Sequence, residues 1–227
     1  ARLVSLEERI TTLEAENVKL KGLLVHIRRI NNDIFITGAN LHIVNGTGRT
    51  DGTPNSLGNI IVGYNELRGN AGDNRSGSHM VVVGSGNSYS SFGGIIAGQS
   101  NVASGAYASV TGGQRNEASG EAASVTGGQR NEAAEEAASV TGGQENIANG
   151  TYANVTGGDS NTASGVAASI TGGVGNTASG QRASVSGGGG NTASGGVTSV
   201  SGGSGNIANG QAASVSGGKQ NTASGEG

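Results

Sequence analysis

Six glutamates, Glu117, Glu121, Glu132, Glu135, Glu136 and Glu145, share a short stretch with Arg115 and Arg130. Paired carboxylates can act as acid and base in glycoside hydrolysis, but only where a cleft holds substrate between them. Glu117 and Glu132 lie fifteen residues apart, as do Arg115 and Arg130. Fifteen is also the spacing of a repeat that fills the rest of the chain. The acids and arginines therefore stand in columns on a smooth stacked structure, with no cleft. Two readings remain open. One is a solvated band that discourages edge-to-edge aggregation. The other is a set of ligand-facing turns at Arg115, Glu121, Arg130, Glu136 and Glu145.

Other chemistry is sparse. His26, His42 and His79 are scattered, and His26 reads as a solvated helix position. Asp51 and Asp73 sit in polar loops where a cation could bind. There is no Gly-x-Ser-x-Gly elbow, Walker loop, His-Glu-x-x-His or Gly-Gly-x-Gly-x-Asp calcium motif. No catalytic residue, metal ligand or cofactor is expected. The chain has no cysteine, and its 13 basic against 16 acidic residues leave no footprint for nucleic acid. No apolar run reaches the roughly 18 residues of a membrane span, and no signal sequence stands at Ala1, so the chain reads as a fragment of a longer protein.

The elements that carry these residues must be built from little apolar material. Of 227 residues, 45 are Gly and only 43 are Leu, Ile, Val or Phe. A conventional core is out of reach. Disorder would call for strong net charge, and the net charge is −3. Collagen needs Gly at every third position and abundant Pro, and there is one Pro. A repetitive, backbone-dominated fold remains.

Residues 1–30 read as a parallel coiled-coil stem. Leu3, Ile10, Asn17 and Leu24 take heptad position a, and Leu6, Leu13, Leu20 and Ile27 take d. Asn17 in the seam would fix register at some cost in stability. Residues 31–91 read as a β-rich adaptor or cap. Strands are expected over 33–37, 40–44, 59–63 and 80–84, with loops over 45–56 and 66–78.

From residue 92 to 227 the period is fifteen. Asn101, Asn116, Asn131, Asn146, Asn161, Asn176, Asn191, Asn206 and Asn221 recur in step with Val110, Val125, Val140, Val155, Ile170, Val185, Val200 and Val215. Alternation makes the Val side and the Asn-Ala side two short strands, and the Gly-rich stretches supply two turns. Each unit closes one coil of a parallel β-solenoid. Stacked coils put a Val core inside and an Asn ladder beside it, each amide bonding a neighbouring coil or a turn carbonyl. Ser109 and Thr111, with their counterparts, point outward in ranks that could order water as ice-binding solenoids do. So few large side chains per coil favour several rolls packed side by side, most simply a homotrimer joined by the stem.

The Ala-Ser-Val-Thr-Gly-Gly … Asn-Thr-Ala-Ser-Gly block, degenerate back to residue 59, resembles the head repeats of trimeric autotransporter adhesins, the YadA-like left-handed β-roll. That resemblance implies a left-handed homotrimeric roll, an extracellular or cell-surface location, and multivalent attachment to a cell-surface protein or glycan. Two departures stand out. The family's repeat is about fourteen residues with two large apolar positions, where this one has fifteen and one Val. The stem also precedes the roll, an order more like a fibre anchored at its N-terminus. A structural spacer or virion fibre segment, with its binding tip elsewhere, is the alternative.

Overall fold

In a computed structural model describing residues 2–69 and 72–225, the chain divides into two compact units, Ala1–His42 and Ile43–Gly227.

The first unit begins with helix α1, Arg2–Leu23, rich in Leu, Glu and Lys and free of Pro. Thr11 and Thr12 donate their hydroxyls back to the carbonyls of Glu7 and Glu8. The helix stops seven residues short of the stem expected over 1–30. Leu24 lies in the turn that follows, and Ile27 opens strand β1, Ile27–Ile30. β1 pairs antiparallel with β2, Asp33–Ile36, through Ile27↔Ile36 and Arg28↔Phe35. The reason is local. Gly22 weakens the last helical turn by about 1 kcal/mol, Val25, Ile27 and Ile30 are β-branched, and Asn31 adopts φ 52° in the tight Asn31-Asn32 turn. Arg28 stacks over the Phe35 ring at 5.0 Å. His26 is therefore not a helical residue; its Nδ1 meets the Thr37 carbonyl oxygen at 2.9 Å. Residues 40–44 form no strand.

The second unit is a parallel β-solenoid. Its strands β3 (Ile60–Val62), β4 (Val81–Ser85), β5 (Ser88–Tyr89), β6 (Ile95–Gln99) and β7 (Val102–Ala103) lead into two-residue strands running from Ser109–Val110 to Thr222–Ala223. Alternate strands enter an 11-stranded sheet, starting at β3, and a 10-stranded sheet, starting at β5. From β4 on, each coil gives one strand to each sheet, while the β3 winding gives a strand to the first sheet alone. Register holds Val110, Val125 and Val140 in line on the first sheet, and Ala118, Ala133 and Ala148 on the second.

The stack starts before residue 92. Val82 pairs with Ile96 and Ile96 with Val110, so the early windings advance by fourteen residues before fifteen takes over. Ile61 pairs with Val82 across twenty-one, and the additional chain forms a loop. Between the sheets lie Val82, Ile96, Val110, Val125, Val140, Val155, Ile170, Val185 and Val200, with the Ala108 and Ala118 columns beside them and Met80 and Tyr89 at the N-terminal end.

Glycine recurs in two columns for different reasons. Gly128 sits at φ 84°, and a Cβ there would stand 2.2 Å from the Gly143 carbonyl oxygen and 2.6 Å from the Asn131 amide. Gly165 has no such backbone constraint, yet its Cβ would meet the Gly180 carbonyl oxygen at 2.0 Å. Bare positions let the coils stack at β-sheet spacing; the Gly128 column keeps glycine in every coil, whereas in the Gly165 column Glu135 replaces it once.

Candidate functional site

The asparagines form a continuous ladder inside the roll. The backbone N–H of Asn116 donates to Oδ1 of Asn101 at 2.8 Å, and that of Asn131 to Oδ1 of Asn116 at 2.9 Å. The same bond links Asn146, Asn161, Asn176, Asn191, Asn206 and Asn221 to the coil before. Each Nδ2 from Asn116 to Asn206 also donates to two glycine carbonyls, for Asn116 those of Gly112 and Gly128, and the Asn161 Nδ2 reaches the Asn146 Oδ1 as well. One side chain thereby closes its own turn and ties down both neighbouring coils, which satisfies buried backbone groups that a two-residue strand leaves over. The ladder begins earlier than the fifteen-residue spacing suggests, since Asn101 N–H donates to Asn87 Oδ1. Asn87 and Asn101 are fourteen apart, and that one-residue offset hid the link.

The ladder is scaffold. Outside it, three surfaces are presented. The first is made of turns. Arg115, Arg130 and Glu145 hold φ between 54° and 57° in one turn column. Glu121 and Glu136 are exposed in the other, beside Ala122 and Ala137, which also have positive φ. Arg130 pairs with Glu145 at 2.9 Å, and Tyr152 donates to Glu136 at 3.0 Å, an interaction that raises the tyrosine pKa. Glu117 and Glu132 pair directly across the second sheet. Partial burial and the Glu132 carboxylate push Glu117 above the usual carboxylate range, while Arg68 pulls it down.

The second surface is the outer face of the first sheet. Ile60, Val81 and Ile95 run into the Ser109 rank, and Val62, Val83 and Ala97 into the Thr111 rank. Ile60 is 44% exposed, Val62 57% and Ile95 43%. Thr111 donates its hydroxyl to the Thr126 carbonyl, which ties down part of that rank.

The third surface is α1. Leu3, Leu6, Ile10, Leu13, Asn17 and Leu20 lie on the helix and are all exposed in the single chain, as are Leu24 and Ile27 beyond it.

The loop carboxylates marked for a cation are engaged otherwise. Arg49 binds Asp51 through two nitrogens at 2.9 and 2.8 Å. Asp73 accepts from the Arg68 backbone N–H at 2.7 Å and from its Nε at 2.8 Å. His79 is held between the Asn45 N–H and the Thr50 carbonyl. Among the described residues no group of three or more His, Asp or Glu converges, and no helix is long and apolar enough to cross a membrane. The twenty-one-residue winding brings Arg68 against the roll, a contact no motif announces; its signal in the sequence is the broken spacing between the Ile61 and Val82 strands.

Fold and surface together define a parallel β-solenoid with a separate helical leader. Neither protein-family models nor curated proteins match the chain.

Proposed function

We propose that the chain is a non-enzymatic segment of a surface fibre: a homotrimer whose rolls pack side by side through the first sheet and whose exposed turns meet a cell-surface protein or glycan. The supporting observation is a third glycine column. Gly127, Gly142, Gly157, Gly172, Gly187 and Gly202 show no positive φ, and a Cβ at any of them would meet nothing within 4 Å. Nothing inside the chain requires glycine there, yet every coil keeps it. A close approach from outside supplies the reason. A partner that uses the column coil after coil must share the repeat, which a second copy of the roll does.

Exposed apolar side chains at the start of the first sheet, which the glycine column adjoins, and the unfilled seam of α1 favour the same assembly. Attachment would then be multivalent, with weak contacts multiplied over coils and chains. The spacer reading is favoured by turn residues that already satisfy one another, as Arg130 with Glu145 and Tyr152 with Glu136.

The test is the double substitution Gly127→Leu and Gly142→Leu. Its circular dichroism should match the parent, because the space is open, while the assembled mass measured by light scattering should fall to that of one chain. An unchanged oligomer would remove the first sheet as the meeting face.

A further inference from the structure

The winding between β3 and β4 is longer than its successors, and its loop leans against the roll where the early coils begin. The groove between them has a volume of about 440 Å³ and is lined by Arg68, Ser100, Val102, Arg115, Asn116 and Glu117. That size falls within the roughly 300–1,000 Å³ of small-ligand sites.

Its charged groups are set in advance. Arg68 is fixed by Asp73 on one side, and its Nη1 reaches the Ser100 carbonyl at 3.2 Å. Its side chain is only 18% exposed, and its Nη2 has no hydrogen-bond partner among the described residues. Arg115 likewise has no ion pair among them. One coil further on, Arg130 in the same column is neutralised by Glu145, so the unpaired guanidinium falls where the loop makes a wall. Glu117 faces the groove as an acceptor, and Val102 gives it an apolar patch. Asn116 contributes shape alone, since its amide is committed to the ladder.

We infer that this groove binds a carboxylated sugar residue at the end of a glycan, with Arg68 and Arg115 taking the carboxylate and Glu117 and Ser100 taking hydroxyls. Two guanidinium groups call for an anion. The neighbouring carboxylates of Glu117 and Glu132 repel a compact dianion such as phosphate and accept hydrogen bonds from hydroxyls. A singly charged, hydroxyl-rich ring meets both conditions, and its C–H face suits Val102. The inference deepens the attachment reading and rests on it for its biological meaning.

The probes are methyl β-glucuronide and methyl α-N-acetylneuraminide, compared with methyl glucoside and inorganic phosphate, by saturation-transfer NMR and calorimetry on the full chain. At least one acidic glycoside should bind with a Kd of about 1 mM, and methyl glucoside about tenfold more weakly or not at all. Arg115→Ala and Glu117→Gln should each weaken binding about tenfold, whereas Arg130→Ala should leave it unchanged. Circular dichroism confirms that each variant is folded. Saturable binding of neither acidic glycoside, equal binding by Arg115→Ala, or phosphate binding as tightly as the sugars would each overturn the inference. Light scattering on the same samples separates the two proposals: sugar binding by a single chain removes the trimer but keeps the groove, and an intact trimer without binding does the reverse.

Discussion

Replacing Asn161 by Ala removes a side chain that is fully buried and joins three coils. Its Oδ1 accepts the Asn176 N–H at 3.0 Å, and its Nδ2 donates to Gly157, Gly173 and the Asn146 Oδ1 at 3.0, 2.9 and 3.0 Å. The Gly173 carbonyl keeps a second donor in the Asp159 N–H; the Asn176 N–H is left buried with no acceptor. An orphaned buried donor costs about 1–3 kcal/mol, and each further bond lost about 0.5–1.5 kcal/mol. The expected loss is therefore about 3–5 kcal/mol, a large share of the roughly 5–15 kcal/mol that holds a domain together. Thr162→Ala, one residue away and pointing outward, should change stability by less than about 0.5 kcal/mol. Urea unfolding followed by circular dichroism reads both. Hydrogen exchange at the Asn176 amide reads the defect locally, since a stack of coils can come apart at one weakened interface. A loss below about 1 kcal/mol for Asn161→Ala, with Asn176 still protected, would refute the ladder as a source of stability.

The turns and the acids give further expectations. Ala122 sits at φ 55°, so Ala122→Gly should raise stability by up to about 1 kcal/mol in the same urea assay. Gly128→Ala should instead abolish folding or cost more than about 3 kcal/mol, because its Cβ would fall on the next coil's backbone. The folded chain holds the Glu117 proton more tightly than the unfolded chain does. Stability from that group is thus complete below the ordinary carboxylate range and is lost as pH rises through the folded value. Glu117→Gln should raise the urea midpoint at neutral pH, and the difference should vanish near about pH 4. Asp73 runs the other way. Its hydrogen bond with Arg68 lowers its pKa, so its contribution is present above the ordinary aspartate value and disappears as pH falls through the folded value.

The roll was legible because each coil repeats the same solution. Nine asparagines at one spacing, with a Val and an Ala in step, define two strands, two turns and a buried amide column before any coordinates are seen. Three features were not legible. The heptad pattern runs on through Leu24 and Ile27, so hydrophobic spacing carried the helix past Leu23, while the β-branched residues and the Asn31-Asn32 turn built a hairpin. The windings of fourteen residues at Val82 and Ile96 fall out of step with the later period, which hid the true start of the ladder at Asn87. The left-handed φ at Tyr107, Ala122, Ala137, Tyr152, Ala167, Arg182, Val197 and Ala212 leaves no mark in composition, since no glycine announces it. Of the turn residues singled out for ligands, Arg130 and Glu145 close on one another. Arg115 acquires its surroundings from a loop whose place depends on the fold.

The side-by-side assembly is tested most directly by the mass of the full chain in solution at micromolar concentration. Sedimentation equilibrium should return three times the 22.0 kDa of one chain. A folded species of 22.0 kDa would contradict the account.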